Sequence, residues 1–478
     1  VSRFNYGNGA YKNYSYDNQN RLISESVNEL TSRMYLYDKS GNVAEINDLL
    51  ANVTTKFQYD LIGRVVGIKA SDGQSMRFVY DKYNRLSLSK WTLGDIALSN
   101  GYIYGDSSVA GQKNGLIYGV NLNGAQKLGY GYDELSRLQS RTVSTETPFV
   151  TEYTYLEGKD SNTTTTLVKT VKNGSDTLEY TYDALGNITT VSKNGIVIEQ
   201  YSYDELNQLK SAVYGEDTYQ YFYDNGGNLT EIKKNNEVIK SYSYGNSEWK
   251  DLLTSFNGEA LTYDAIGNPL SYRNGMSFTW QNGRQLAGIS KDGAELASYT
   301  YNAEGLRISK TVNGVTTDYY WLNGTLQGQK TGEESILFLY DENGNAYGFI
   351  AKNGTVESTY YYEFNVQGDI IGIIDSTGIK VVEYTYSAWG DLLSVTGTLA
   401  DTIGHMNPLR YRGYYYDAET GFYYLTSRYY DVETGRFVNA DGAIAGAGGK
   451  IGGYNLHSYC FNNPINMSDP AGNWPTWL

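Results

Sequence analysis

The sequence predicts an all-β chain of repeated hairpins, and three observations predict it. A tyrosine-aspartate motif recurs at least eleven times, once with asparagine last. The motif often returns every 20 to 22 residues. The composition favours strands and tight turns, with 49 Tyr and 53 Gly but only 6 Pro in 478 residues. Self-similarity at a fixed short period means one small unit stacked many times, and abundant aromatics with glycine turns favour β structure.

The motif first reads Tyr14-Ser-Tyr16-Asp17, Tyr35-Leu-Tyr37-Asp38, Phe57-Gln-Tyr59-Asp60 and Phe78-Val-Tyr80-Asp81. It returns at Tyr130-Gly-Tyr132-Asp133, Tyr180-Thr-Tyr182-Asp183, Tyr201-Ser-Tyr203-Asp204 and Tyr221-Phe-Tyr223-Asp224. The last copies are Leu261-Thr-Tyr263-Asp264, Tyr299-Thr-Tyr301-Asn302 and Phe338-Leu-Tyr340-Asp341. Two tyrosines two apart share one face of a strand. The aspartate ends that strand, its carboxylate accepting amides two or three residues on. A glycine such as Gly186 takes the positive φ of the turn; Asn20 and Asn84 fill that place elsewhere, asparagine being the next most tolerant residue. A period near 21 fits two strands and two turns. Asp224 to Asp264 is 40 residues, so some units keep the spacing without the signature. Stacked hairpins make a sheet that must spiral, close or split, because strands twist and free edges aggregate. A solid solenoid or propeller with tyrosine in its core is one outcome. A broad sheet around a wet cavity is the other, and it suits buried hydroxyls that need partners.

Bulk composition narrows the function. The net charge of −15 argues against a nucleic-acid backbone as main partner. One cysteine, Cys460, excludes an internal disulfide framework. No apolar run reaches the length of a membrane span. The opening at Val1, with no signal peptide, reads as a cut boundary, which leaves the export route and any preceding shell out of view.

The repeats resemble the YD or Rhs repeats of bacterial Rhs polymorphic toxins, Tc-toxin B and C components and teneurins, over roughly residues 14–391. The resemblance implies a β-sheet spiralling into a hollow shell that encloses the polypeptide after it. The stretch from Asn407-Pro-Leu-Arg410 through Gly421-Phe-Tyr-Tyr-Leu425, Arg428-Tyr-Tyr-Asp431 and Gly435-Arg436-Phe437 to Asn462-Asn-Pro464 and Asp469-Pro470-Ala471-Gly472 is similar to the Rhs-associated core domain that closes such shells. It implies two domains: a shell wall over 1–360, and a core domain over 361–478 that plugs the shell.

The same resemblance implies an aspartyl autoprotease. Its second motif stands intact at Asp469-Pro470-Ala471-Gly472, and its first maps to Asp441, followed here by Gly442 rather than proline. Arg428 matches a family arginine near the pair. A glycine-rich stretch, 446–453, lengthens the span between the aspartates. Two close carboxylates share a proton and titrate as a pair; one activates water while its protonated partner polarises the scissile carbonyl. Arg428 orients a carboxylate or stabilises developing negative charge. Cleavage is expected at or just after Leu478. Against this stands a plain reading in which Asp-Pro-x-Gly and Asp-Gly are turns.

Other chemistries find less support. His405 and His457 do not form a zinc pair, and no metal or cofactor site is expected. Cys460, three after His457, is more simply a small buried thiol than a nucleophile. Asp341-Glu-Asn343-Gly-Asn345 begins like a calcium loop but lacks its sixth-place glycine and twelfth-place glutamate. Tyr414 to Tyr416 and Tyr423-Tyr424 could stack sugars or simply fill a core. The expected function is therefore a toxin-encapsulating shell whose partners are an enclosed C-terminal toxin polypeptide and N-terminal shell or delivery components. Its expected location is secreted or at the bacterial surface. The alternative is an adhesive or glycan-binding repeat protein without protease activity.

Overall fold

A computed structural model of the chain describes residues 2–160, 163–442 and 454–477. The glycine-rich stretch 446–453 and the expected cleavage point at Leu478 lie outside the described residues. The fold is all-β, as the repeats predict, with long antiparallel sheets in which each strand pairs with the next in sequence. No helix among the described residues is long and apolar enough to cross a membrane.

The chain forms two compact units. One comprises Val1–Pro148, Trp280–Gly288 and Ala297–Tyr360; the other comprises Phe149–Thr279, Ile289–Leu296 and Tyr361–Leu478. The first is a run of hairpins, such as Leu30–Tyr37 against Val43–Asp48 and Val53–Tyr59 against Val65–Ala70. The second repeats that pattern over Asp176–Tyr182, Ile188–Lys193, Ile196–Tyr203, Leu209–Tyr214, Asp217–Tyr223 and Leu229–Lys234. It also holds a small four-stranded sheet: Tyr415–Asp417, Phe422–Tyr424, Tyr429–Asp431 and Arg436–Phe437.

Each repeat turn is built by its aspartate. In the Asp204 turn, Oδ1 accepts the amides of Leu206 and Gln208 at 2.9 Å each, and Oδ2 accepts Gln208 Nε2 at 2.8 Å. The amides engaged are thus two and four residues on, because the turn closes with Asp204 N–H donating to the Gln208 carbonyl. The third position carries positive φ, at 85° in Gly186, 60° in Asn20 and 65° in Asn84, as expected.

A β-bulge falls before every second tyrosine, between Thr181 and Tyr182, Ser202 and Tyr203, and Phe222 and Tyr223. It strengthens the local twist. It also accompanies a ladder in which the second tyrosine donates its hydroxyl to a carbonyl of the preceding hairpin: Tyr182 to Val168 at 2.6 Å, Tyr203 to Ile188 at 2.7 Å, Tyr223 to Leu209 at 2.7 Å. The same bond joins Tyr37 to Leu22 and Tyr59 to Val43 in the other unit. The first tyrosines Tyr180, Tyr201 and Tyr221 are buried. Tyrosine therefore supplies both apolar area and the hydroxyl that ties one hairpin to the next.

Within the second unit, residues 407–442 and 454–469 pack against the repeat turns through side-chain amides. Asn462 Nδ2 donates to Gln208 Oε1 at 2.8 Å and to the Gly227 carbonyl at 2.7 Å. Asn466 accepts the Ile188 amide at 2.8 Å and donates to the Tyr203 hydroxyl at 2.9 Å. Asn463 donates to Asn187, and Asn455 and Arg436 both donate to Asn228. These polar groups are buried and mutually satisfied, which fixes one seating.

Candidate active site

The small sheet presents Arg428 at the start of its third strand. A tight turn delivers it there: Leu425 N–H donates to the Arg428 carbonyl at 2.9 Å, and Thr426 takes a φ of 60°. The guanidinium is buried and lies 3.6 Å over the Phe437 ring, a cation–π contact on a desolvated face.

Arg428 brings the two sequence-predicted aspartates together. Its Nη2 is 3.0 Å from Asp441 Oδ2 and 3.8 Å from Asp469 Oδ2. Its other donors fix the frame: Nη1 donates to the Leu456 carbonyl at 2.9 Å, and Nε donates to the Gly472 carbonyl. A planar donor fork suits such multi-point contact better than an ammonium would.

The two carboxylates differ in setting. Asp469 is only 1% exposed, whereas the Asp441 side chain is 12% exposed. Asp469 Oδ1 accepts the amides of Asn473 at 2.9 Å and Trp474 at 3.1 Å, leaving Oδ2 toward Arg428. The Asp469 amide donates to the Tyr414 hydroxyl at 2.7 Å. Burial raises the Asp469 carboxyl above its usual range; Arg428 and the two amides oppose that rise, and the nearby Asp441 charge adds to it. Asp441 is held by its own amide, which donates to the Leu456 carbonyl at 2.9 Å. Gly442 in place of proline leaves that bond intact, since it uses the Asp441 nitrogen.

The turn reading of Asp469 also holds, because its Oδ1 does build a turn. After that turn the chain folds back, and Thr476–Trp477 pairs antiparallel with Met467–Ser468, Ser468 facing Thr476. Residues beyond Gly472 therefore run beside the segment that leads into Asp469. Trp474 is pinned by an edge contact with Phe461, ring centroids 5.8 Å apart.

The remaining candidates resolve into structure. Cys460 is buried, and burial pushes its thiol up, away from nucleophilic use. The Asp341 loop is a repeat turn, its Oδ1 accepting the amides of Asn343 and Asn345. Tyr414, Tyr415, Tyr423 and Tyr424 are core residues, and Tyr416 packs against Tyr423 with centroids 5.1 Å apart. Leu456 is a site neighbour with no sequence signal, while Tyr414 and Phe437 stand in the sequence only as a stacking ring and as part of the core-domain motif. They meet the aspartates only through the fold.

The model of the Teneurin YD-shell family matches residues 161–466. Among curated proteins, the tRNA nuclease WapA of Bacillus subtilis (strain 168) is 32% identical over 321 residues, 65% of this chain and 11% of WapA. The double-stranded DNA deaminase toxin A of Burkholderia cenocepacia (strain H111) is 25% identical over 469 residues, 87% of this chain and 30% of that toxin. The chain thus spans a minor part of the relatives it matches. Among solved structures, the TcdB2-TccC3-Cdc42 complex superposes with a TM-score of 0.79 at 17% identity, covering 98% of this chain and 27% of the other. At that identity the likeness concerns the fold.

Proposed function

The chain belongs to the teneurin YD-shell family, and on that premise we propose that it is the encapsulating part of a polymorphic toxin. In this reading residues 1–360 form shell wall, and residues 361–478 form a core domain that seats on it. The shell encloses a C-terminal effector polypeptide and is exported or displayed at the bacterial surface, with N-terminal shell or delivery components as further partners. Curated relatives with a nuclease or deaminase toxin in their names support the toxin context.

The finer proposal is self-cleavage by Asp441 and Asp469, at or just after Leu478. The observation that carries it is the convergence of both carboxylates on Arg428, beside a chain that folds back past Asp469. Burial favours the protonated form of Asp469, which suits it to donate a hydrogen bond to the scissile carbonyl. Asp441, on the shorter ion pair, is then the base that takes a proton from water. The water oxygen bonds to the carbonyl carbon, the C–N bond breaks, and the new amine receives a proton from the pair. Arg428 limits the charge repulsion between the carboxylates and orients Asp441. Cutting the bond frees the effector from the shell chain while leaving it enclosed.

Enclosure is tested with a small folded reporter placed after Leu478. The reading expects the cut reporter to co-elute with the shell chain in native size-exclusion chromatography and to resist trypsin. A reporter that elutes alone and digests freely would contradict it.

A further inference from the structure

Several repeats of the second unit keep their tyrosines but lose the aspartate, and one of them reaches the candidate site. Tyr242-Ser243-Tyr244 is followed by Gly245, at the position where the motif carries Asp. Tyr244 still makes the ladder bond, donating to the Leu229 carbonyl at 2.7 Å. In place of the five-residue turn the chain runs through a longer loop, 245–254, organised by Asn246, whose Oδ1 accepts the amides of Glu248 at 2.9 Å and Trp249 at 3.0 Å. That loop carries Asp251 toward the carboxylate pair.

Asp251 accepts two hydrogen bonds from the segment that holds the site. Its Oδ2 accepts the Leu456 amide at 3.0 Å, and its carbonyl accepts Arg436 Nη2 at 2.7 Å. The carbonyl of the same Leu456 receives Arg428 Nη1 and the Asp441 amide, each at 2.9 Å. One residue, Leu456, therefore links the repeat loop to both the guanidinium and the first aspartate through its two flanking peptide groups. Asp251 fixes its nitrogen side, and the site uses the oxygen of Leu456.

We propose that Asp251 is a positioning residue for self-cleavage: by holding Leu456, the repeat wall sets the placement of Arg428 and Asp441, so the site is complete only when the core segment is seated. The proposal rests on the self-cleavage reading. Misplacing a reacting group by about an ångström costs on the order of a hundredfold in rate, so loss of one anchor is a kinetic lesion before it is a folding one. The Arg436 bond uses the Asp251 backbone and survives substitution of the side chain.

The test is the self-cleavage rate of the full chain carrying a reporter after Leu478, followed by gel densitometry over a range of pH. Asp251→Ala is expected to slow cutting at least about tenfold, with trypsin resistance of the shell chain unchanged. Asp251→Asn, which keeps an oxygen in reach of the Leu456 amide, is expected to cut within about threefold of wild type. Asp251→Ser, whose oxygen ends short of that amide, serves where Ala unfolds the loop and is expected to be slow.

The pH profile adds a readout that a merely structural residue would not move. Asp469 is faced by Arg428, which lowers its pKa, and by Asp441, which raises it, with the Cys460 thiol and the Tyr414 hydroxyl as its other titratable neighbours. A loosened Arg428 shifts the alkaline limb of the rate profile to higher pH. If wild type cuts and Asp251→Ala and Asp251→Ser match its rate and profile, this inference falls alone. If wild type does not cut, the self-cleavage reading falls and the inference with it.

Discussion

Arg273 grips Asp431 through two hydrogen bonds, Nε to Oδ2 at 2.8 Å and Nη2 to Oδ1 at 2.6 Å, with both side chains out of solvent. Tyr272 and Thr434 donate their hydroxyls to the same Oδ2 at 3.0 and 3.1 Å. Asp431 ends the strand Tyr429–Asp431, immediately after Arg428. The pair thus clamps the site strand to a segment 158 residues earlier in sequence.

Breaking a buried pair leaves an uncompensated charge, which costs about 3–5 kcal/mol. Arg273→Ala or Asp431→Ala should each lower stability by about that amount in denaturant titrations. The double change Arg273→Met with Asp431→Leu should cost less than the two single losses combined, since it removes both charges.

The amide seats make a second expectation. Asn228 Oδ1 accepts Asn455 Nδ2 at 2.7 Å and Arg436 Nη1 at 3.2 Å. Asn228→Leu leaves the Asn455 amide without its acceptor, at about 1–3 kcal/mol, while Arg436 Nη1 keeps the Tyr244 hydroxyl at 3.1 Å and the Asp224 turn loses the side-chain bond from Asn228 but keeps its backbone bonds. Limited proteolysis should then cut within residues 407–469 while the repeats stay intact. Unchanged resistance would remove Asn228 from the seat.

The ladder hydroxyls are separable from ring burial. Tyr223→Phe keeps the ring but removes the bond to the Leu209 carbonyl, so unfolding should be easier by about 0.5–1.5 kcal/mol. Exposed Tyr83 is not part of that ladder, and Tyr83→Phe should leave stability within about 0.5 kcal/mol.

Much of this was legible in the sequence, because turns are local. Asp204, Gly186 and Asn84 announce their roles through spacing and backbone tolerance alone. The resemblance also marks Arg428, Asp441 and Asp469 as candidates, and the fold brings all three side chains together. Two things were not readable. The residue four after each aspartate closes the turn with its side chain, as arginine in Arg64 and as amide in Gln208. Both look like ordinary surface polar residues in a sequence. The contacts of Asp251, Arg273 and Asn228 join positions some 160 to 230 residues apart, and no periodic signal carries such pairs. A unit without its aspartate, at Gly245, reads only as a worn repeat; in the fold its loop reaches the candidate site.

Glu199 gives the chain a pH dependence of known sign. Its carboxylate accepts the Tyr201 hydroxyl at 2.8 Å beside a cavity of about 390 Å³ that Tyr180, Tyr214 and Tyr384 also line. Burial raises it from 4.5 to about 7, with Tyr201 opposing that rise. A carboxyl raised on folding stabilises the fold when protonated, so its contribution is full below the ordinary range and fades as pH rises through about 7. Denaturation midpoints at about pH 5 and about pH 8 should therefore differ more for wild type than for Glu199→Gln. Equal differences would contradict that setting for Glu199.

We propose above that Asp441 and Asp469 cut the chain that carries them. Intact-mass spectrometry of the purified protein with a reporter after Leu478 tests it most directly. Self-cleavage gives two polypeptides whose masses exceed the uncut chain by one water in total, and a single uncut mass is expected for Asp441→Asn and for Asp469→Asn. A wild-type chain that stays whole, or cutting that persists unchanged in both variants, would contradict it.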